Sequence, residues 1–135
     1  MPPILVRHAS AGDRRVWEGD DRERPLDERG REQALELVER LAPFTIEAIY
    51  TSPWIRCIQT VQPLASARDL PVVTLDELGE TRQLEDGGPL LKELATKDVL
   101  VCGHRGLEQA LRKPRKWRKG ATFVLDEKLR IVDEL

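Results

Sequence analysis

The sequence is short of the residues that build disulfide frameworks, metal centres and membrane spans. Its 135 residues include two cysteines, Cys57 and Cys102, which are too few for a disulfide framework and lack the spacing of zinc ligands. Its apolar runs, such as residues 99–102, are far too short to cross a bilayer, and its N-terminus lacks the pattern of a signal peptide. We therefore expect buried thiols, no metal or other cofactor, and a cytoplasmic location.

Charge of one sign is also missing. The chain has 22 Lys and Arg against 24 Asp and Glu, a net charge of −2, so no global field draws it onto nucleic acid or an anionic membrane. We expect neither as its principal partner, and any charge-driven binding must be local. Its length, with 40% hydrophobic and 34% charged residues, predicts one globular domain spanning residues 1–135.

Short apolar runs rich in β-branched residues alternate along the chain with segments of helical period. Strands are predicted for five runs, at residues 3–7, 46–51, 71–75, 99–102 and 121–125, and crossover helices between them. A further run at residues 128–132 could close an edge hairpin with the last of these. The pattern predicts an α/β fold, a three-layer sandwich with a mostly parallel central sheet flanked by helices.

Capping and breaking residues mark the predicted helices. Asp27 is a candidate N-cap of the first helix. Ser52 and Pro53 indicate the start of a second helix, which Pro63 should kink or divide. Two further helices are predicted, over residues 89–95 and from residue 105 onward.

Only two histidines occur in the chain, and each directly follows a predicted strand. His8 is preceded by Arg7, and His104 is preceded by Gly103. If the two strands are parallel, both imidazoles emerge at the carboxyl edge of the sheet, where open α/β sheets bind their ligands. Either histidine alone could be an isolated polar residue at a strand end, but their equivalent positions favour a shared site.

A third segment leads from a predicted strand into the second helix and carries Arg56 near its start. Free backbone amides at a helix N-terminus suit an anion. Arginine offers a planar fork of donors to phosphate oxygens, and phosphoryl transfer depends on such positioning and charge stabilisation. Together with Arg7 and the two imidazoles, Arg56 predicts a phosphoryl site.

These motifs resemble those of the histidine phosphatase superfamily, which has the phosphoglycerate-mutase-like fold. The resemblance extends over residues 4–125 and has four parts: Arg7-His8-Ala9, Ser52-Pro53 through Arg56 to Gln59-Thr60, Gly103-His104, and Leu26-Asp27-Glu28-Arg29-Gly30. It implies that His8 is the nucleophile that becomes phosphorylated, and that Arg7, Arg56 and His104 hold the phosphoryl oxygens. Water then hydrolyses the phosphohistidine without a metal.

The chemistry of an imidazole nucleophile adds two requirements. Its attacking nitrogen must be neutral, and the other nitrogen needs an acceptor such as a backbone carbonyl to fix the tautomer. A leaving alkoxide needs a proton donor. Leu78-Gly79-Glu80 resembles the family's leucine-any-glutamate pattern, so Glu80 is the first candidate for the general acid and Glu77 the second. A solvated surface carboxylate is the alternative for both.

Two departures from the family pattern bear on activity. Ala9 stands where the family has glycine, which affects how closely the backbone approaches phosphate. The chain also lacks the insertions that form a lid in phosphoglycerate mutases, so an open site that favours hydrolysis is expected. Small members without a lid include bacterial phosphohistidine phosphatases and a phosphatase module fused to Nudix domains. Residues 7–27, and Lys119-Gly120-Ala121 before a predicted strand, look more like the latter, which implies a possible Nudix-type partner domain.

The segment 112–119, here called the basic segment, has six basic residues in eight and includes Trp117. It could attract a nucleotide's extra phosphates, or nucleic acid with the indole stacked on a base, or it could be a solvated loop. Arg14, Arg22 and Arg24 lie in a long loop predicted over residues 9–25 and pose the same choice. The predicted substrate is a phosphorylated small molecule, nucleotide or phosphoprotein. The alternatives are a phosphohistidine phosphatase acting on a signalling protein, or a degenerate, non-catalytic module that binds phosphate or nucleic acid.

Overall fold

The computed structural model describes residues 3–135 and contains six strands and three α-helices in that range. The strands are β1 (Ile4–Arg7), β2 (Ala48–Thr51), β3 (Val72–Thr74), β4 (Val99–Gly103), β5 (Thr122–Leu125) and β6 (Ile131–Glu134). The helices are α1 (Glu28–Arg40), α2 (Ile55–Arg68) and α3 (Gln83–Leu94), with short 3-10 helices at Asp21–Glu23, Asp76–Leu78 and Leu107–Ala110. No helix in these residues is long and apolar enough to cross a membrane.

The strands form one mixed sheet in the order β3-β2-β4-β1-β5-β6. The pairs β3 with β2, β2 with β4, and β4 with β1 are parallel, whereas β5 is antiparallel to β1 and β6 is antiparallel to β5. The predicted mostly parallel sheet and its edge hairpin are therefore confirmed. β6 begins three residues later than the predicted run, because residues 126–130 form the turn.

Apolar side chains cover both faces of this sheet, since successive strand residues point to opposite sides. Leu5 and Val101 belong to a buried cluster that includes Leu91 of α3. Ile4 and Leu100 belong to a second cluster, with buried residues of α1 and α2. The sheet lies between two helical layers, as the sequence predicts.

Helix α1 begins where the sequence predicts, because Asp27 accepts a hydrogen bond from the Gly30 amide and caps it. The three- and four-residue spacing of Ala34, Leu35, Val38, Leu41 and Ala42 predicts that these residues form the buried face of the helix, and this prediction is only partly correct. Ala34 and Leu41 are buried, but Leu35 is 63% exposed and Leu37 is buried instead. The register of the buried face depends on how α1 packs against α2, and the local pattern of apolar residues is compatible with both leucines.

The other predicted helix boundaries are less accurate. α2 begins at Ile55 and continues through Pro63 as one helix. α3 begins at Gln83, well before the predicted residue 89. The predicted fourth helix is only the short 3-10 helix Leu107–Ala110, after which the chain becomes extended at Leu111.

Candidate active site

Parallel pairing of β1 with β4 brings the two histidines together at the carboxyl edge of the sheet. Arg7 lies opposite Gly103 in the register, and the His8 amide donates to the Gly103 carbonyl at 3.0 Å. The imidazole rings of His8 and His104 lie edge to face, with their centroids 5.5 Å apart. The expected convergence of these rings is confirmed.

His8 is held as a neutral imidazole. Its Nδ1 lies 2.8 Å from the carbonyl oxygen of Ala9, and since a carbonyl can only accept, Nδ1 carries the proton. Burial is the main cause that lowers the pKa of His8 to about 3, and the charges of Arg56, Arg7 and Lys119 contribute to this shift. The lone pair of Nε2 is therefore available at neutral pH, as nucleophilic attack requires.

His104 has the same protonation state but a different partner. Its Nε2 lies 2.8 Å from the hydroxyl of Ser52, and its Nδ1 is buried without a partner among residues 3–135. Burial, followed by electrostatic coupling to the His8 imidazole, lowers the pKa of His104 to about 2. When the Ser52 hydroxyl donates to Nε2, the Nδ1–H of His104 is a free donor.

Arg56 lies in the first turn of α2 and is completely buried. Two of its nitrogens donate to Asp21, at 2.9 Å to the carbonyl oxygen and 3.1 Å to the carboxylate. Arg7 donates to the Trp117 carbonyl at 2.8 Å. Burial lowers the pKa of both arginines, but a guanidinium stays charged in proteins.

Each of the three residues predicted to hold phosphate contributes one buried nitrogen without a partner in the described chain. These atoms are Nε of Arg7, Nε of Arg56 and Nδ1 of His104. A buried donor left unpaired is costly and rare in folded proteins. An anion with several acceptor oxygens would pair with such donors, which is the chemistry of a phosphoryl group.

An open cleft of about 520 Å³ adjoins His8. Its walls carry five cations and two carboxylates, so positive charge is in excess; the lining residues are Arg7, His8, Gly12, Asp13, Arg14, Arg24, Glu80, Arg105 and Lys119. Of the two glutamates proposed as proton donor, Glu80 lines this cleft and Glu77 does not. The carboxylate of Glu80 is hydrogen-bonded to Arg14 and lies 3.5 Å from Arg56.

Comparison with known proteins identifies the family. The family model of the histidine phosphatase superfamily (branch 1) matches residues 4–97. The chain belongs to this superfamily. A curated relative, the 8-oxo-(d)GTP phosphatase of Mycolicibacterium smegmatis, is 48% identical over 138 aligned residues, which cover 90% of this chain and 43% of the relative. The chain thus spans less than half the length of that relative.

Solved structures share the fold of this histidine phosphatase chain. The protein histidine phosphatase SixA complexed with tungstate has a TM-score of 0.80 at 22% identity, covering 100% of this chain and 96% of that one. A phosphoserine phosphatase from Entamoeba histolytica, in complex with 3-phosphoglyceric acid, has a TM-score of 0.70 at 15% identity, covering 91% and 90% of the two chains. These likenesses establish the phosphoglycerate-mutase-like α/β fold that the sequence motifs predict.

Ala9 stands where the superfamily motif has glycine, and its methyl group lies in the apolar core. It is fully buried in a small apolar cluster with Ala11, Leu26 and Ala34. Its amide donates to the Thr60 hydroxyl at 2.9 Å, and its carbonyl accepts from His8. Ala9 does not line the cleft, so the extra methyl group is accommodated in the core.

Two residues that position the site of this histidine phosphatase are not predicted from its sequence. Gln83 is buried at the start of α3, where its side chain accepts from the His104 amide and donates to the carbonyls of His104 and Arg105, each at 3.0 Å. Asp21, in a 3-10 helix of the long loop, contacts Arg56. Neither residue carries a local signal, because both act on partners far away in the sequence.

The proposed base-stacking role of Trp117 is wrong. The indole is 2% exposed, stacks on Phe123 with the centroids 5.9 Å apart, and donates to the Ala121 carbonyl at 3.0 Å. The ring faces of the indole pack in the core, so they are not accessible for stacking on a base. The thiols of Cys57 and Cys102 are free and buried, as predicted.

Proposed function

We propose that the chain hydrolyses phosphorylated substrates through a phosphohistidine intermediate on His8. The observation that supports this function best is the set of three unpaired buried donors on Arg7, Arg56 and His104 beside a neutral imidazole. The donors fit the equatorial oxygens of a transferring phosphoryl group, whose developing charge such pre-arranged dipoles stabilise.

In the first step, Nε2 of His8 attacks phosphorus, the Nε2–P bond forms, and the bond from phosphorus to the leaving oxygen breaks. The Ala9 carbonyl stays bonded to Nδ1–H and stabilises the positive charge that develops on the ring. A leaving alkoxide takes a proton, which we assign to the carboxyl group of Glu80, with Glu77 as the alternative donor.

In the second step, water attacks the phosphorus of phosphohistidine. The Nε2–P bond breaks, its electron pair returns to Nε2, and the proton of the water goes to the carboxylate that gave one up in the first step. Inorganic phosphate leaves and His8 is neutral again. The cleft beside His8 is open, so water can reach the intermediate.

The substrate class follows from the relatives only as a proposal. Similarity to the 8-oxo-(d)GTP phosphatase supports a nucleotide substrate. The fold shared with the protein histidine phosphatase SixA supports a phosphoprotein substrate. A Nudix-type partner domain and a cytoplasmic location stay predictions.

Hydrolysis of p-nitrophenyl phosphate in EDTA tests the proposal, comparing the wild type with His8→Ala. We expect turnover by the wild type and its loss in the variant. An alkaline quench of the wild-type reaction should trap an acid-labile phosphoenzyme, and peptide mapping should place the label on His8.

His104→Asn is the matched control, because it changes the other histidine without removing the nucleophile. It should slow labelling, with the label remaining on His8. Unchanged activity in His8→Ala, or label on another residue, would contradict the mechanism. Phosphate binding without any turnover by the wild type would instead support the non-catalytic binding module.

A further inference from the structure

Three of the five cations of the cleft form no ion pair with residues 3–135. One of them, Arg7, still donates to the Trp117 carbonyl. Arg14 pairs with Glu80, and Arg24 pairs with Asp21. Arg105 and Lys119 line the same cleft and are exposed, and their side chains make no hydrogen bond or ion pair with residues 3–135. Both are therefore available to a ligand.

The backbone that carries Lys119 is fixed to the strand that carries the nucleophile. The amide of Gly120 donates to the carbonyls of both Arg7 and His8 at 3.1 Å, and Gly120 has a φ of +76°, which glycine adopts without strain. The carbonyl of Lys119 accepts from the side chain of Gln33 at 3.3 Å. This turn anchors the lysine at the rim of the cleft.

The backbone that carries Arg105 is fixed on the opposite side of the site. The buried side chain of Gln83 binds the carbonyl of Arg105 and both backbone groups of His104. The backbone of each cationic residue is therefore held in place by hydrogen bonds next to the residues proposed to hold phosphate.

We propose that Arg105 and Lys119 form a second phosphate subsite, and that the substrate is a phosphoanhydride such as a nucleoside diphosphate. This inference rests on the proposed function, since the terminal phosphoryl group is the one transferred to His8. In a diphosphate the second phosphoryl group lies one bridging oxygen away, so its oxygens must find donors at the rim of the same cleft. Arg105 and Lys119 are the cleft cations whose side chains have no partner within residues 3–135.

The leaving group of such a substrate suits the charges of the site. When Nε2 of His8 bonds to the terminal phosphorus, the bond from that phosphorus to the bridging oxygen breaks, and the electron pair stays on the oxygen. The product is a nucleoside monophosphate, whose second pKa is about 6, so it departs without a proton. Glu80, paired with Arg14, need not donate one, and its carboxylate can accept the proton of the water that hydrolyses the phosphohistidine.

A phosphoprotein is the competing substrate class. A protein surface is normally recognised through an apolar, well-packed contact centre, whereas the cleft is lined almost entirely by charged side chains. A compact polyanion matches this lining better than a folded domain does.

The subsite is tested with Arg105→Ala, Lys119→Ala and the double variant, using adenosine diphosphate and p-nitrophenyl phosphate as substrates. Each single change should lower kcat/KM for the diphosphate by about tenfold, as the loss of a charge-assisted hydrogen bond does, and should alter kcat/KM for the aryl phosphate by less than about threefold. Lys116→Ala is the matched control: this exposed lysine of the basic segment lies outside the cleft and should leave both values unchanged.

Calorimetric binding of pyrophosphate and inorganic phosphate measures the same subsite without turnover. Pyrophosphate should bind the wild type about tenfold more tightly than phosphate does, and the double variant should abolish the difference. Equal affinities in the wild type, or equal losses for both substrates in the variants, overturn the subsite even if His8 is phosphorylated. Absence of phospho-His8 with preference for pyrophosphate intact would overturn the catalytic mechanism alone. Faster hydrolysis of a phosphohistidine protein than of the diphosphate would overturn the proposed substrate class.

Discussion

Asp21 lies directly on the guanidinium of Arg56. Its carbonyl oxygen and its carboxylate accept from two nitrogens of Arg56 at 2.9 and 3.1 Å, and the carboxylate also pairs with Arg24 at 2.9 Å. Burial alone would raise the pKa of Asp21, but the hydrogen bond from Arg24 and the charge of Arg56 outweigh it and lower the pKa. Asp21 therefore holds two nitrogens of Arg56 in place and leaves Nε free, but its charge offsets part of the positive charge that a phosphoryl group at Nε would meet.

Asp21→Asn removes the offsetting charge and keeps the carbonyl contact. We expect inorganic phosphate to bind about fivefold more tightly, because a partly exposed ion pair of this kind contributes roughly 1 kcal/mol or less. Inhibition of p-nitrophenyl phosphate hydrolysis by phosphate measures the change. Glu23→Gln, on the same 3-10 helix and exposed, is the control with the same charge change. Weaker binding by Asp21→Asn would show that Asp21 acts mainly by holding Arg56 in place rather than by offsetting its charge.

The two buried histidines make stability depend on pH. In the folded protein burial lowers the pKa of His8 to about 3 and that of His104 to about 2, whereas in the unfolded chain both lie near 6.5. As pH falls below about 6.5, the unfolded chain takes up protons first, so stability is full above that pH and decreases below it, by about 1.4 kcal/mol per pH unit per histidine.

Urea denaturation at pH 7, 6 and 5 measures this loss. The free energy of unfolding should decrease by on the order of 3 kcal/mol between pH 7 and pH 5. The carboxylates with a lowered pKa add to the loss only at lower pH, near their unfolded values of about 4. His104→Asn should roughly halve the slope. A curve that stays flat between pH 7 and pH 5 would show that the histidines are not held neutral.

Glu80→Gln should affect substrates according to their leaving groups. If Glu80 donates the proton, kcat/KM for an alkyl phosphate should fall by about 10²- to 10⁴-fold, whereas p-nitrophenyl phosphate, whose leaving group needs little protonation, should lose much less. Glu77→Gln is the matched control on the neighbouring 3-10 helix. Equal losses for both substrates would assign Glu80 to positioning Arg14 and Arg56, and a larger effect of Glu77→Gln would identify that residue as the donor.

Gly30→Ala should destabilise the fold although alanine favours helices. A Cβ at Gly30 would collide with the carbonyl oxygen of Ser10, which also accepts from the Asp27 amide at 3.1 Å. The overpacking cost of about 1–3 kcal/mol exceeds the helix gain of about 1 kcal/mol. Urea denaturation should show a net loss, and Glu32→Ala, exposed on the same helix, should stay within about 0.5 kcal/mol. A gain in stability for Gly30→Ala would contradict this packing.

Much of the fold and of the site is determined locally. The strands are short, continuous apolar runs, because a parallel sheet is buried on both faces. The helices show apolar residues at helical period, because one face of each packs on the sheet. Asp27 caps α1 through a contact within one turn. His8 and His104 directly follow strands, so the parallel pairing that the pattern predicts is enough to bring them together.

The helix starts show where local reasoning ends. The hydroxyl of Ser52 is bound to His104 and to the Trp54 amide rather than serving as the N-cap of α2, which begins at Ile55. The first residue of α3, Gln83, binds the backbone of His104. In both cases the helix boundary depends on His104, which is about 20 residues away or more. Local helix propensity therefore does not predict the boundary.

The sequence by itself determined the α/β pattern, the three catalytic-type motifs and the neutral character required of His8. Only the tertiary structure decided that Asp21 lies on Arg56, that Arg14 pairs with Glu80 and that Trp117 is buried in the core. The physical reason is that motif spacing follows from the backbone within one element, whereas the pairing of charges and the burial of a large side chain depend on which distant segments pack together.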